Sequence, residues 1–384
     1  MIAVAFGVAA LILAGAFVEW IFWATRQGAI QSGIGHIQVA RNGFHEKGNA
    51  DLDRFLLPAD SPVLQALQST PGVKTVAPRL SFSGLASHGD TTLSFLGEGV
   101  DPDREKNFTD VSIIINGQEL ASSAPDGVIV GNGLAANLGI TTGDRITLLA
   151  NKPGGGINAV EAIVRGLFAT VSKAYDDSAI RVPLPLAHQL LRVRGAHRWI
   201  IVLDKTEDTP RLLAQLRTRY AGGGLEFIPW YDLADFYKKT VRLLSKQMAV
   251  IEAIIGLVIV LTIGNSMMMG VMERKSETGT TMALGTRARA ILFQFVAEGL
   301  LLGVLGGAIG VLLGLGIAEV ISMIGIPMPP PPGQARGFRA GMIVTTPLVG
   351  SAFAIAVGTG LIAALHPAWR ASRTNIVDAL RHNR

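Results

Sequence analysis

Seven histidines, at positions 36, 45, 88, 188, 197, 366 and 382, are the first candidates for chemistry in this 384-residue chain. None falls in a His-Glu-x-x-His pattern or another paired spacing that would bring two imidazoles to one metal, so the sequence gives a metal site no support. Asp176 and Asp177 form an adjacent acid pair, but neighbours in an extended segment point to opposite faces, which predicts a turn or solvated loop rather than acid–base work. The glycine-rich "NKPGGGINA" at 151–159 has no Gly-Lys-Ser/Thr ending and no helix after it. It reads as a hairpin tip and not as a phosphate loop. Neither a Walker A sequence nor a nucleophile elbow occurs, and the absence of cysteine removes disulfides and thiolate chemistry. A chain with these residues is expected to catalyse nothing by itself.

The remaining unusual stretch is "ERKSETGTTMALGTRARAIL" at 273–292, with four basic and two acidic side chains between strongly apolar segments. Apolar residues make up 49% of the chain and charged residues 16%, too greasy for an average soluble protein and too polar for one embedded throughout. A bilayer core of roughly 30 Å takes about 20 apolar residues as helix. Runs of that kind occur at 2–24, 248–272, 291–325 and 342–365, and ordinary globular composition fills the space between the first and second. The first run has no Lys or Arg ahead of its apolar core and exceeds a usual signal-peptide core, so it reads as a retained helix. It lacks the basic leader that usually precedes such a helix, a pattern that a lost or mis-assigned N-terminus would produce.

Short-loop cations set the expected orientation. The 273–290 loop holds Arg274, Lys275, Arg287 and Arg289, the tail holds Arg370, Arg373, Arg381 and Arg384, and the 326–341 loop holds Arg336 and Arg339. Both termini and the 273–290 loop therefore belong inside, with the large domain outside. Glu19, Glu252 and Glu319 then fall near outer span ends and Glu298 near an inner one, where interfacial snorkelling accounts for them better than a proton relay. The net charge of +5 is spread along the chain, with several cations beside the spans, and does not point to nucleic acid. In the third span Gly299, Gly303 and Gly307 recur every four residues, as do Gly306, Gly310 and Gly314. Small residues at that spacing let helix backbones approach, so a packing seam is expected, within the chain or in a dimer.

The outer segment reads as α+β in two lobes, with linkers near 101–126 and 150–158. Helices are expected at 61–72, 184–193 and 209–224, and strands at 73–87, 91–100, 159–169 and 198–204. Residues 127–149 read as strand, short helix, Gly turn and strand.

The polar stretch resembles the segment between the second and third spans of ABC-transporter permeases of the MacB, LolC/LolE and FtsX superfamily. The matching positions are Glu273, Arg274, Glu277, Gly279, Ala283, Leu284, Gly285 and Glu298. The tail "HPAWRASRTNIVDALR" (366–381) is similar to that family's ending, and "VGNGLAANLGITTGDRITL" and "DDSAIRVPLPLAHQLL" are similar to the MacB-type periplasmic core. "GHIQVARNGF" (35–44) and "PMPPPPG" (327–333) look most like the LolE-like branch.

The resemblance implies four transmembrane helices with a large α+β periplasmic domain inserted between the first two. The expected layout is a span at 1–25, the periplasmic domain at 26–245, a span at 246–272, a cytoplasmic coupling loop at 273–290 and a span at 291–325. A Pro-rich periplasmic loop at 326–341, a span at 342–365 and a cytoplasmic tail at 366–384 complete it. It further implies a multi-pass protein of the bacterial inner membrane, working by mechanotransmission with a dimer of separate cytoplasmic ATPase subunits and a second permease copy or paralogue. A periplasmic adaptor or acceptor protein and membrane lipid are further partners so implied. The chain itself needs no cofactor, ATP and Mg being bound by the ATPase. The expected cargo is a hydrophobic envelope substrate, lipoprotein first. Efflux of drugs or peptides in the MacB manner, and FtsX-like regulation of a cell-wall hydrolase, are the alternatives. The loop departs from the family pattern at Ser276, Thr278, Thr280 and Thr281, where basic or apolar residues are usual.

Overall fold

The computed structural model describes residues 1–47, 52–106, 113–170, 172–329 and 338–373. In chain order the helices are α1 (Ile2–Ala29), α2 (Phe44–Lys47), α3 (Pro62–Gln68), α4 (Pro102–Glu105), α5 (Asn132–Leu138), α6 (Lys173–Asp176) and α7 (Leu184–Leu191). They continue as α8 (Thr209–Arg219), α9 (Trp230–Leu233), α10 (Asp235–Glu273), α11 (Lys275–Ala283), α12 (Ala288–Ile324) and α13 (Thr346–Ser372). The strands are β1 (Ile37–Arg41), β2 (Val73–His88), β3 (Thr91–Val100), β4 (Ile113–Gly117) and β5 (Gly127–Gly131). After them come β6 (Arg145–Asn151), β7 (Ile157–Ala169), β8 (Ala179–Pro183), β9 (Arg198–Leu203) and β10 (Leu225–Pro229), and β11 (Ile326–Met328) pairs with β12 (Phe338–Ala340) in a separate two-stranded sheet. Two compact units result, one holding residues 1–24, 239–328 and 339–384, the other residues 25–238 and 329–338.

Among the described residues α1, α10, α12 and α13 are long and apolar enough to cross a membrane. Within the helical unit α12 lies between α1 and α13. Its glycines meet two neighbours, the series Gly299, Gly303 and Gly307 approaching α13 and the series Gly306, Gly310 and Gly314 approaching α1. A Cβ at Gly303 would sit 2.8 Å from the Ala356 carbonyl oxygen of α13, and one at Gly307 would sit 3.1 Å from Ala356 Cβ. Gly299 faces Ala364 of the same helix. Against α1, Cβ atoms at Gly306, Gly310 and Gly314 would meet Val4 at 2.8 Å, Val8 at 2.6 Å and Ile12 at 3.0 Å. Ascending partners on α1 and descending partners on α13 make α12 parallel to the former and antiparallel to the latter.

The α+β unit has two lobes sharing one strand. β1, α3, β2, β9, α8 and β10 follow the βαββαβ order, and their strands pair antiparallel in the order β10-β1-β9-β2, a ferredoxin-like arrangement. Ile37, Val39, Trp199, Ile201 and Phe227 pack with Leu67, Leu212 and Leu216 to form its core. The chain between β2 and β9 builds the second lobe. Its strands pair β2-β3-β8-β5-β7-β6, and β6 returns to β2, closing a six-stranded barrel that has no free edge around the ring. Leu80, Phe82, Phe95, Val130, Ile146 and Ile180 fill it, and β4 lies along β7 outside the ring.

The expected linkers are absent as lobe boundaries. Residues 150–158 form the β6–β7 hairpin and the described part of 101–126 lies inside the barrel lobe. The lobes join instead within β2, whose first half pairs β9 and whose second half pairs β3 and β6. Asp176 is also corrected. It ends a short helix rather than lying extended, is buried, and accepts hydrogen bonds from Thr170 N (2.9 Å) and Oγ1 (2.7 Å). The apolar helices extend past the expected spans. α10 begins at Asp235 rather than 246 because its first turns are polar yet helix-forming, and α13 continues through Pro367 to Ser372. Residues 330–337 of the expected Pro-rich loop and residues 374–384 of the tail lie outside the described residues.

Candidate coupling surface

The polar loop folds into the nine-residue helix α11. Arg274 leaves helical geometry at φ −93° and ψ 16°, which separates α11 from α10, and its carbonyl accepts from Thr278 N at 2.9 Å. The other end is a glycine stop. Gly285 has φ +97°, Thr286 N donates to Thr281 O at 3.2 Å, and Gly285 N donates to Met282 O at 3.0 Å. This is the hydrogen-bond pair of a Schellman motif, in which a residue without Cβ reverses the chain after the helix. Ala283-Leu284-Gly285 is therefore a helix terminator, with Leu284 as the capping residue.

The two faces of α11 differ. Thr278 and Gly279 are buried and Met282 is half-buried against the helical core. Glu273, Glu277, Thr280, Thr281 and Leu284 are exposed. Glu277, Thr280, Thr281 and Leu284, spaced by three, one and three residues, share one stripe of α11, and Glu273 is exposed at the end of α10 before the break. Thr280 and Thr281 turn their hydroxyls back onto the carbonyls of Ser276 (2.9 Å) and Glu277 (2.7 Å), so the stripe offers their methyl groups beside Glu277. Leu284, 84% exposed, is the most exposed large apolar side chain among the described residues. Arg274 reaches Glu298 of α12 at 3.8 Å. Both groups are well exposed, so the pair contributes at most about 1 kcal/mol. Ala283 is exposed as well, while Arg287 and Arg289 begin α12 as exposed cations. A helical stripe of this kind, acidic at one end and apolar at the other, suits a groove on a protein partner.

A second cluster was not legible in the sequence. Where β2 changes partners, Arg79 makes a bidentate pair with Glu105 of α4 (3.0 and 2.8 Å) and contacts Glu98 of β3 at 3.1 Å. Arg198 of β9 donates to the other Glu98 oxygen at 3.0 Å. Burial opposes ionisation of Glu98, but Arg79, Arg198 and Arg181 outweigh it and hold its carboxyl down at about 2. Burial likewise opposes the charge on Arg79, and Glu105 and Glu98 overcome it. Gly33, at φ +104°, lies against the Arg79 guanidinium where any Cβ would collide with it. Paired carboxylates and guanidiniums of this geometry join the two lobes and leave no nucleophile or open acid–base pair. Among the described residues no group of three His, Asp or Glu side chains is placed to hold a metal.

Residues 1–219 match the family described as MacB-like periplasmic core domain, and residues 249–376 match the FtsX-like permease C-terminal family. The chain is 40% identical over 118 residues to the uncharacterized ABC transporter permease YvrN of Bacillus subtilis, covering 31% of this chain and 26% of that one. It is 25% identical over 284 residues to the macrolide export ATP-binding/permease protein MacB of Syntrophobacter fumaroxidans, covering 72% of this chain and 35% of that one. The matches thus span about a quarter to a third of these relatives' lengths. The crystal structure of the periplasmic region of MacB from Actinobacillus actinomycetemcomitans is similar at 12% identity and TM-score 0.38, covering 56% of this chain and 95% of that one. With more than half of its length in the first family and the permease module following, the chain belongs to the MacB/FtsX-type superfamily of ABC transporter permeases.

Proposed function

We propose that the chain is the membrane subunit of an ABC transporter in which ATP hydrolysis by a separate cytoplasmic subunit moves the α+β domain on the other side of the membrane. One observation carries the reading. The α11 stripe from Glu277 to Leu284 is solvent-exposed while the opposite face of the helix is buried, and it ends in an apolar side chain that the isolated chain leaves bare. An exposed leucine on a rigid, capped helix is the type of anchor that a protein partner covers. ATP and Mg belong to that partner in this account, and the chain positions no nucleotide itself. The glycine ladders of α12 serve to hold α1 and α13 in fixed register with the loop helix, so that a push on α11 moves the bundle as a body. A second permease copy or a paralogue completes the assembly in the bacterial inner membrane, with the α+β domain in the periplasm.

The cargo is a hydrophobic envelope substrate. Lipoprotein follows from the LolE-like segments at 35–44 and 327–333. Export of a small amphiphile is the second reading, favoured by the relatives named for macrolide export. The substitution Glu277→Lys reverses charge on the stripe without touching the buried face. In a chain that still inserts, it is expected to abolish substrate movement while ATP hydrolysis continues. Normal transport by that variant rejects the coupling assignment. Running the assay with a triacylated lipoprotein and with a macrolide separates the two cargo readings.

A further inference from the structure

The same charge counting that places the 273–290 loop inside leaves an unexplained group on the other side of the second span. Lys238, Lys239, Arg242 and Lys246 fall within nine residues at the start of α10, immediately before its apolar run. Cations this close to a span are under pressure to be cytoplasmic. Their retention at the opposite end calls for a counter-charge. Lys238 has one, Asp232 at 3.3 Å. Lys239, Arg242 and Lys246 are exposed, and among the described residues no ion pair holds them.

The helix puts these three side chains on one face, at spacings of three and four residues over about 10 Å of axis. Leu243, Val250, Ile254 and Leu257 form an adjoining stripe and are 59%, 58%, 56% and 59% exposed. From Lys246 to Leu257 the axis descends about 17 Å, close to the roughly 15 Å of one leaflet's hydrocarbon. A cationic patch at the headgroup level with a continuous apolar track beneath it complements one kind of molecule, an amphiphile with a phosphate at one end and acyl chains at the other.

We propose that this face of α10 is a binding site for an anionic diacyl phospholipid of the outer leaflet, its phosphate held by Lys239, Arg242 and Lys246 and its acyl chains lying along Val250, Ile254 and Leu257. The proposal rests on the reading of α10 as a membrane span. The site gives the permease a resident lipid at the membrane face of its outer end.

The test reconstitutes the full-length chain in vesicles of phosphatidylcholine containing a minority of phosphatidylglycerol and measures the composition of the lipid retained by the purified protein by native mass spectrometry. The wild-type chain is expected to enrich phosphatidylglycerol about fivefold over the bulk, the effect of one basic residue at an anionic surface. The triple variant Lys239→Gln, Arg242→Gln, Lys246→Gln is expected to return to bulk composition while remaining in the membrane after carbonate extraction. Excess glycerol 3-phosphate, which has the phosphate and no acyl chains, is expected to leave the lipid in place. No enrichment by the wild type, enrichment that survives the triple substitution, or displacement by glycerol 3-phosphate overturns the site. Extraction of the wild-type chain by carbonate refutes the span itself, a result distinct from any of these.

Discussion

In the helical unit the tightest contacts are made by residues with almost no side chain, such as Gly303 against the Ala356 backbone and Gly310 against Ala5 and Val8. In the α+β unit the interior is Trp, Phe, Leu and Ile, and at the lobe junction it includes three arginines and two glutamates. The solvent explains the difference. Lipid tails are as apolar as leucine, so helices in a bilayer gain from close backbone approach and dense van der Waals contact rather than from hiding apolar surface. A domain in water is held by removing apolar area from solvent, and it tolerates buried charge only where every ion finds a partner. The first unit is accordingly sensitive to added volume, and the second to lost pairing and to pH.

The largest expected effect tests that contrast at the junction. Arg79→Ala removes the bidentate partner of buried Glu105 and leaves Glu98 with Arg198 as its ion-pair partner, and is expected to destabilise the α+β unit by about 3–5 kcal/mol, read as a shifted urea midpoint of tryptophan emission. A loss under about 1 kcal/mol breaks the claim that the junction depends on complete pairing.

The next effect comes from a buried histidine. His36 Nδ1 accepts from Leu203 N at 3.1 Å, so Nε2 carries the proton and donates to Thr206 Oγ1 at 3.0 Å. Burial lowers its pKa from 6.5 to about 4, with Glu207 opposing and Arg26 assisting. Between those values the unfolded chain takes up a proton that the folded chain refuses. Stability is therefore full above pH 6.5 and falls as the pH drops toward 4, by on the order of 2–3 kcal/mol. Glu98 adds a further loss below its unfolded value of 4.5. His36→Gln is expected to flatten the upper part of this profile, and an unchanged profile removes His36 as its source.

The smallest expected effect lies in the helical unit. Gly310→Leu forces a side chain into α1, where even a Cβ would lie 2.6 Å from the Ala5 carbonyl oxygen, and is expected to cost about 1–3 kcal/mol. Thermal aggregation in detergent measures it. The same substitution at Gly316, where a Cβ meets nothing within 4 Å, serves as the neutral control. Equal losses at both positions contradict the seam.

Local structure was largely legible in the sequence. The Ser61 cap and Pro62 start of α3, the long strands β2 and β3, the strand–helix–strand of β5, α5 and β6, and the four apolar runs all follow from short-range pattern. What the sequence hid is long-range. Nothing within β2 says that it pairs with β9 at one end and with β6 at the other, so the sequence indicates two lobes but places linkers where the structure joins them through a shared strand. The polar start of α10 escaped a hydropathy reading because its cations obscure a helix that continues unbroken into the span. Asp176 looked solvated because its partner, the Thr170 amide, is brought to it by a turn rather than by spacing. At the loop, residue types and order were legible, whereas the division of α11 into a buried Thr278/Gly279 face and an exposed Glu277/Leu284 face required the helix to be placed against the bundle.

The central claim is that the exposed stripe of α11 docks on the ATPase. Its most direct test places a photo-crosslinking amino acid singly at Glu277, Thr281 or Leu284, and at the buried Thr278 as control, in membranes containing the complete transporter. The account predicts adducts to the ATPase subunit from the three stripe positions, strongest at Leu284, and none from Thr278. Crosslinking from Thr278 with none from the stripe, or no ATPase adduct at any stripe position in an actively transporting complex, would contradict it.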